Sequence, residues 1–210
     1  MKLRRTGTTA ALLLTLSLSL AACGDDGDDN KSEDSKADDT PTSQMTDDSK
    51  AGAAADTFGP GCSAIPTEGA GSFNGMATEP VATAASANPL LKTLVAAVGE
   101  AGLVDTLNSA EGLTVFAPTD DAFGKIPKKA LNGVLADKDL LTTILTHHVI
   151  AGQLSPDQVA GTHETLAGDE LTVSGSGDAF TVGKENAAVL CGNIPTANAT
   201  VYVIDSVLMP

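Results

Sequence analysis

Apolar residues recur every three to four positions from residue 88 onward. Asn88 can cap, Pro89 suits a first helical position, and Leu90, Leu91, Leu94, Val95 and Val98 form one stripe, which predicts a helix that Gly99 and Gly102 stop. A short helical piece follows over residues 103–107. Leu113, Val115, Phe116 and Ala117 have strand composition. Pro118 then removes a donor and fixes φ, and Thr119 offers a side-chain oxygen to the free amides of a helix that begins with Asp120 and Asp121. Ala130, Leu131, Val134 and Leu135 predict another amphipathic turn or two. Over residues 138–149, Leu140, Leu141, Ile144, Leu145, His148 and Val149 share one helical face, which points His148 inward and leaves His147 off the stripe. After Gly152 the period shifts toward two. Residues 171–174 and 180–182 flank a Gly-Ser-Gly-Asp turn as a hairpin, Val189 and Leu190 open another strand, and residues 201–204 form the densest apolar run near the C-terminus. Helices first and short antiparallel strands later predict an α+β fold.

The N-terminus follows a different pattern. Lys2, Arg4 and Arg5 precede an apolar run over residues 10–22 that is too short to span a bilayer comfortably, so residues 1–22 read as a signal peptide. The run ends Leu20, Ala21, Ala22, Cys23, which resembles a bacterial lipobox and makes Cys23 the expected acylated first residue of the mature chain. Residues 24–55 hold ten acidic residues, three lysines and no aromatic residue, a composition that cannot bury enough apolar surface to order itself. Residues 23–60 are therefore expected to form a lipid-anchored acidic stalk. DDGDDN at 25–30 lacks the spaced Glu of a helix-loop-helix calcium loop. Residues 61–210 are long enough for one domain with its own core, and no internal repeat is visible.

Charge and chemistry narrow the function classes. The formal net charge is −15, and residues 56–210 alone carry six basic against seventeen acidic residues, a surface that repels phosphates. With five Phe, one Tyr and no Trp there is little to stack bases, so no nucleic-acid role is expected. No phosphate loop, dinucleotide fingerprint or nucleophile elbow occurs, and the three histidines have no zinc spacing, so neither catalysis, a metal nor a cofactor is expected. With Cys23 assigned to lipid, Cys62 and Cys191 remain as an even pair in an oxidising compartment. A structural disulfide is expected, with a reactive thiol pair as the alternative. Asn198, Ala199 and Thr200 match a glycosylation sequon, read as coincidence in a bacterial lipoprotein.

Three segments carry a family resemblance. LTVFAPTDDAF at 113–123, THHVIAGQ at 146–153 and NATVYVIDSVLMP at 198–210 resemble, in order, the signatures of the fasciclin domain, an extracellular adhesion module. EPVATAASANP at 79–89 resembles wording in the secreted and lipid-anchored fasciclin antigens of mycobacteria, which also have Cys at both places of the pair. The resemblance covers residues 61–210. It implies a wedge of two small β-sheets flanked by helices, and a non-enzymatic adhesion or recognition protein held on the extracytoplasmic face of the membrane through its lipid alone. The implied partner is an extracellular protein or polysaccharide. The alternatives are a binding protein for a small apolar ligand or lipid, in a groove between sheet and helices, and a structural envelope component. The Asp-Ile pair associated with integrin contact in animal members falls here on Asn193 and Ile194, so the carboxylate is missing and that mode of recognition is not expected. His148, Thr119, Asp120 and Asn198 match family positions and are expected to be internal hydrogen-bonding groups, with the partner of His148 near Thr119 or Asp120.

Overall fold

A computed structural model of the chain describes residues 52–210. The expected signal peptide, Cys23 and nearly all of the acidic segment lie outside the described residues. A 3-10 helix, Pro60–Ala64, leads into α1 (Phe73–Ala77), α2 (Val81–Ala87), α3 (Lys92–Ala101) and α4 (Val104–Ser109). Next come β1 (Leu113–Pro118), α5 (Asp120–Gly124), α6 (Lys128–Ala136), α7 (Lys138–His147) and β2 (Val149–Ala151). The chain closes with α8 (Pro156–Val159), β3 (Gly161–Glu164), β4 (Glu170–Ser176), β5 (Ala179–Val182), β6 (Ala187–Pro195) and β7 (Ala199–Ile204).

The strands run in the order β2-β1-β7-β6-β5-β4-β3. Strand β6 belongs to two small sheets: its first residues pair with β5, and register shifts between Val189 and Cys191 and between Cys191 and Ile194 let the rest follow β7. Bulges bend and twist a strand. The β5-β4-β3 half thereby covers the far face of β1 and β7. Alternation along those two central strands serves two cores. Val115, Ala117, Val201 and Val203 pack toward Leu94, Val98 and Leu145 of the helices, while Phe116, Tyr202 and Ile204 pack against Leu171, Phe180 and Val182 of the outer strands. A continuous apolar run is what a strand buried on both faces requires.

Several expectations change. The helix expected from Asn88 onward begins only at Lys92, because Asn88 closes α2 and accepts the Leu90 amide in a turn that precedes α3. Helix α2 itself carries no clear stripe in its short, alanine-rich sequence. The strands are not all antiparallel, since β1 pairs with β7 in parallel from Leu113↔Ala199 to Pro118↔Ile204. The chain leaves β1 through helices and both sheets before it returns, which a local period cannot reveal. Leu140 stands 43% exposed although its spacing put it on the α7 stripe. β3 was not visible as a strand because only His163 among its residues is even partly covered.

Packing also begins before Gly61. Phe58 makes an isolated bridge to Gly192, its amide donating to the Gly192 carbonyl at 3.3 Å and its carbonyl accepting the Gly192 amide at 2.8 Å. Cys62 and Cys191 are joined, with Cα atoms 4.8 Å apart. The Phe58 ring lies over Phe180 and Tyr202 at centroid distances of 5.4 and 6.2 Å.

Candidate functional site

The polar signature residues fasten elements to one another. Thr119 caps α5 by accepting the Ala122 amide at 3.2 Å. Asp120 belongs to the first turn of α5 but serves α3: its Oδ1 accepts the Thr93 amide at 2.7 Å, and its own amide donates to Leu90 at 2.9 Å. Thr119 and Asp120 thus satisfy free amides at two helix starts.

Asn198 is the most heavily used side chain. Its Oδ1 accepts the Val81 amide at 2.9 Å, and its Nδ2 donates to the carbonyls of Leu107 and Ala110 at 2.8 and 2.9 Å. One amide therefore joins the start of α2, the end of α4 and the entry to β7. Asn193 sits at a bulge with φ 57°, a conformation Asn tolerates, and donates to the Asp56 carbonyl at 3.0 Å. Ile194 is 1% exposed and belongs to the core. The two positions aligned with the integrin-linked pair are taken up by the bulge and by packing.

His148 closes α7 and is 2% exposed. Its Nδ1–H donates to the Ile144 carbonyl at 2.7 Å, and its Nε2 accepts the Leu208 amide at 3.0 Å. The partner is thus not near Thr119 or Asp120 as expected; the ring instead holds the C-terminal segment, because the end of α7 faces the exit of β7. Burial pushes the pKa from 6.5 down to about 4, against the Ile144 hydrogen bond that favours the cation, with His147 nearby adding repulsion. A second proton would also point at the Leu208 amide, so the ring is neutral.

His147, off the stripe in sequence, is also buried at 3%. Its Nδ1 lies 2.7 Å from Asp169 Oδ2, off the direction of a well-aligned hydrogen bond. Asp169 also receives the Thr165 hydroxyl. Burial works against its charge, but Thr165 and His147 outweigh this and hold its pKa below the usual carboxylate value. No sequence signal marks this pair, because Asp169 lies across a turn between β3 and β4.

Two of the concavities among the described residues bear on function. A cleft of about 460 Å³ lies beside the disulfide, with Thr119, Asp120, Asp121 and the Lys125–Asp205 ion pair, at 2.9 Å, above an apolar floor of Ile65, Leu90 and Val203. A narrow apolar groove of about 70 Å³ runs between the helices and the β1-β2 edge, lined by Leu94, Val98, Leu107, Val115, Leu145 and Leu166 among others. Among the described residues no group of three or more His, Cys, Asp or Glu is arranged to hold a metal ion, and no helix is long and apolar enough to cross a membrane.

Comparison with known proteins gives three findings. The Fasciclin domain family matches residues 89–210. Cell surface glycolipoprotein MPB83 of Mycobacterium bovis is 45% identical over 210 residues, covering 96% of this chain and 94% of its own, and Immunogenic protein MPB70 of the same species is 53% identical over 167 residues, covering 75% and 84%. A solved FAS1 domain pair from the insect cell adhesion molecule Fasciclin I superposes with a TM-score of 0.47 at 24% identity, over 57% of this chain and 45% of that one.

Proposed function

The chain belongs to the fasciclin-domain family, and from that membership we propose that it is a non-enzymatic recognition or adhesion module, lipid-anchored at Cys23 on the extracytoplasmic face of the membrane. The observation that carries this reading is the 45% identity to a cell surface glycolipoprotein across 96% of the chain, a match too long to be confined to the domain. The site geometry supports it. Thr119, Asp120, Asn198 and His148 spend their hydrogen bonds on holding elements together, which suits a rigid head that presents a surface. The partner is an extracellular protein or polysaccharide.

Fractionation tests the anchor. Cys23→Ala should release the chain or leave its precursor uncleaved, whereas a mature substituted chain that still behaves as an integral membrane species would overturn it. Attachment of cells to surfaces or to one another, compared with and without the protein, tests adhesion; equal attachment would count against it. A second reading, a binding protein for a small apolar ligand, is favoured by one observation: the groove between helices and sheet is almost wholly apolar.

A further inference from the structure

Of four large apolar side chains exposed among the described residues, Val104 at 37% and Leu166 at 45% both border this groove. Its wall is polar at only three places. Thr146 donates its hydroxyl to the Thr142 carbonyl, His148 has both ring nitrogens engaged, and Thr106 stands exposed at the mouth. No free donor or acceptor therefore waits inside for a polar ligand, and hydrogen bonds cannot be the basis of recognition there. The outer wall is the turn over residues 165–169, fixed by the Leu166 amide donating to Val149 at 2.8 Å, by Thr165 to Asp169, and by Asp169 to buried His147. These contacts hold Leu166 over the opening, so the His147–Asp169 pair has a positioning role.

We infer that the groove takes one hydrocarbon chain of an envelope lipid, an inference that rests on the second reading above. Size decides against larger occupants: a groove of about 70 Å³ has no room for a partner helix and suits a single hydrocarbon chain. Charge decides the head group. Asp105 is exposed between Val104 and Thr106, and Glu164 is exposed two residues before Leu166, so the surroundings of the mouth disfavour an anionic head and suit a neutral or cationic one. Placement supplies the source. Cys23 precedes Gly52 by 29 residues, which span at most about 100 Å, so an anchored domain stays beside a bilayer whose acyl chains are the apolar molecules at highest local concentration.

Methyl NMR of the mature chain carrying Cys23→Ala, titrated with straight-chain alkan-1-ols of increasing length, tests the inference. The methyls of Val98, Leu107 and Leu145 should shift together, and affinity should rise about fourfold per added methylene until the groove is full. Val104→Glu and Leu166→Glu, both at exposed positions where folding tolerates charge, should each weaken binding about tenfold, while Leu140→Glu on exposed α7 surface should not. Binding of cyclohexanol but not of the linear alcohols would overturn the single-chain inference and leave the apolar-ligand reading standing. No shift with either class would overturn both. Native mass spectrometry of the lipidated chain then identifies the source: one non-covalent lipid per chain, lost in Leu166→Glu, is the expected result. Groove methyls already shifted by lipidation, with no extra lipid bound, would assign the groove to the protein's own anchor and overturn the envelope source.

Discussion

His148 ties acid sensitivity to one atom pair. The unfolded ring takes up a proton near pH 6.5, while the folded ring stays neutral until about pH 4, so between these values the unfolded state binds more protons and stability falls as pH falls. The full contribution is present above pH 6.5, and roughly 3 kcal/mol is lost by pH 4. Denaturant unfolding at pH 7 and pH 4.5 should show this slope. His148→Gln, which can still donate to Ile144 and accept from Leu208, should flatten it. Asp169 and Asp205, both held below the usual carboxylate pKa, act in the same sense at lower pH. Asn198→Ala has no such substitute. It strips three elements of their shared amide and leaves partly buried backbone groups unpaired, and should cost about 2 to 4 kcal/mol by the same measurement, with the groove mouth at α4 loosening in hydrogen exchange.

At the scale of elements, the segment before α1 acts as a short added strand on the part of β6 that β5 leaves unpaired. Its grip comes from the Phe58–Gly192 bridge, the aromatic cluster and the disulfide. A Cβ on Gly192 would run into the Phe58 ring, so Gly192→Val should expel that ring even though the backbone could accept the residue. The expected outcome is a loss of about 2 to 4 kcal/mol together with faster exchange of the Phe58 amide. The Cys62–Cys191 link closes a sequence separation of 129 residues. Replacing both by Ser should cost about 2 to 5 kcal/mol, and non-reducing peptide mapping should recover a single peptide pair from the native chain. A melting curve that matches the native protein would show that packing alone holds the segment.

Over the whole molecule, seventeen acidic residues against six basic ones in 56–210 repel one another in the compact state. The Lys125–Asp205 pair, with Lys125 exposed and Asp205 about one-third exposed, offsets little of this. Raising ionic strength from about 20 to 300 mM at pH 7 shortens the screening length from roughly 20 to 6 Å and should raise the melting temperature. A fall in melting temperature would mean that attractive pairs dominate. The same surface charge turns anionic partners away.

Most of what the residues made legible lies within single elements. The β1 run, the Thr119 cap, the stripe on α7 apart from Leu140, and the inward turn of His148 are local consequences of period, β propensity and capping, and each is found in the fold. The signatures at 113–123, 146–153 and 198–210 were enough to identify the family because they lie on the elements that meet at the centre. Tertiary structure alone decided which atoms those residues meet. His148 binds Leu208 across sixty residues, Asp120 caps a helix other than its own, Asn198 joins α2 to α4, and His147 finds Asp169 across a turn. None of these contacts follows from a repeat in the chain, because each depends on the parallel return of β7 beside β1 and on the bulges that bend β6. The groove has the same origin: its lining comes from α2, α3, α4, α7 and the β1-β2 edge, residues that are ordinary core in sequence and enclose a space only once the helices are packed on the sheet.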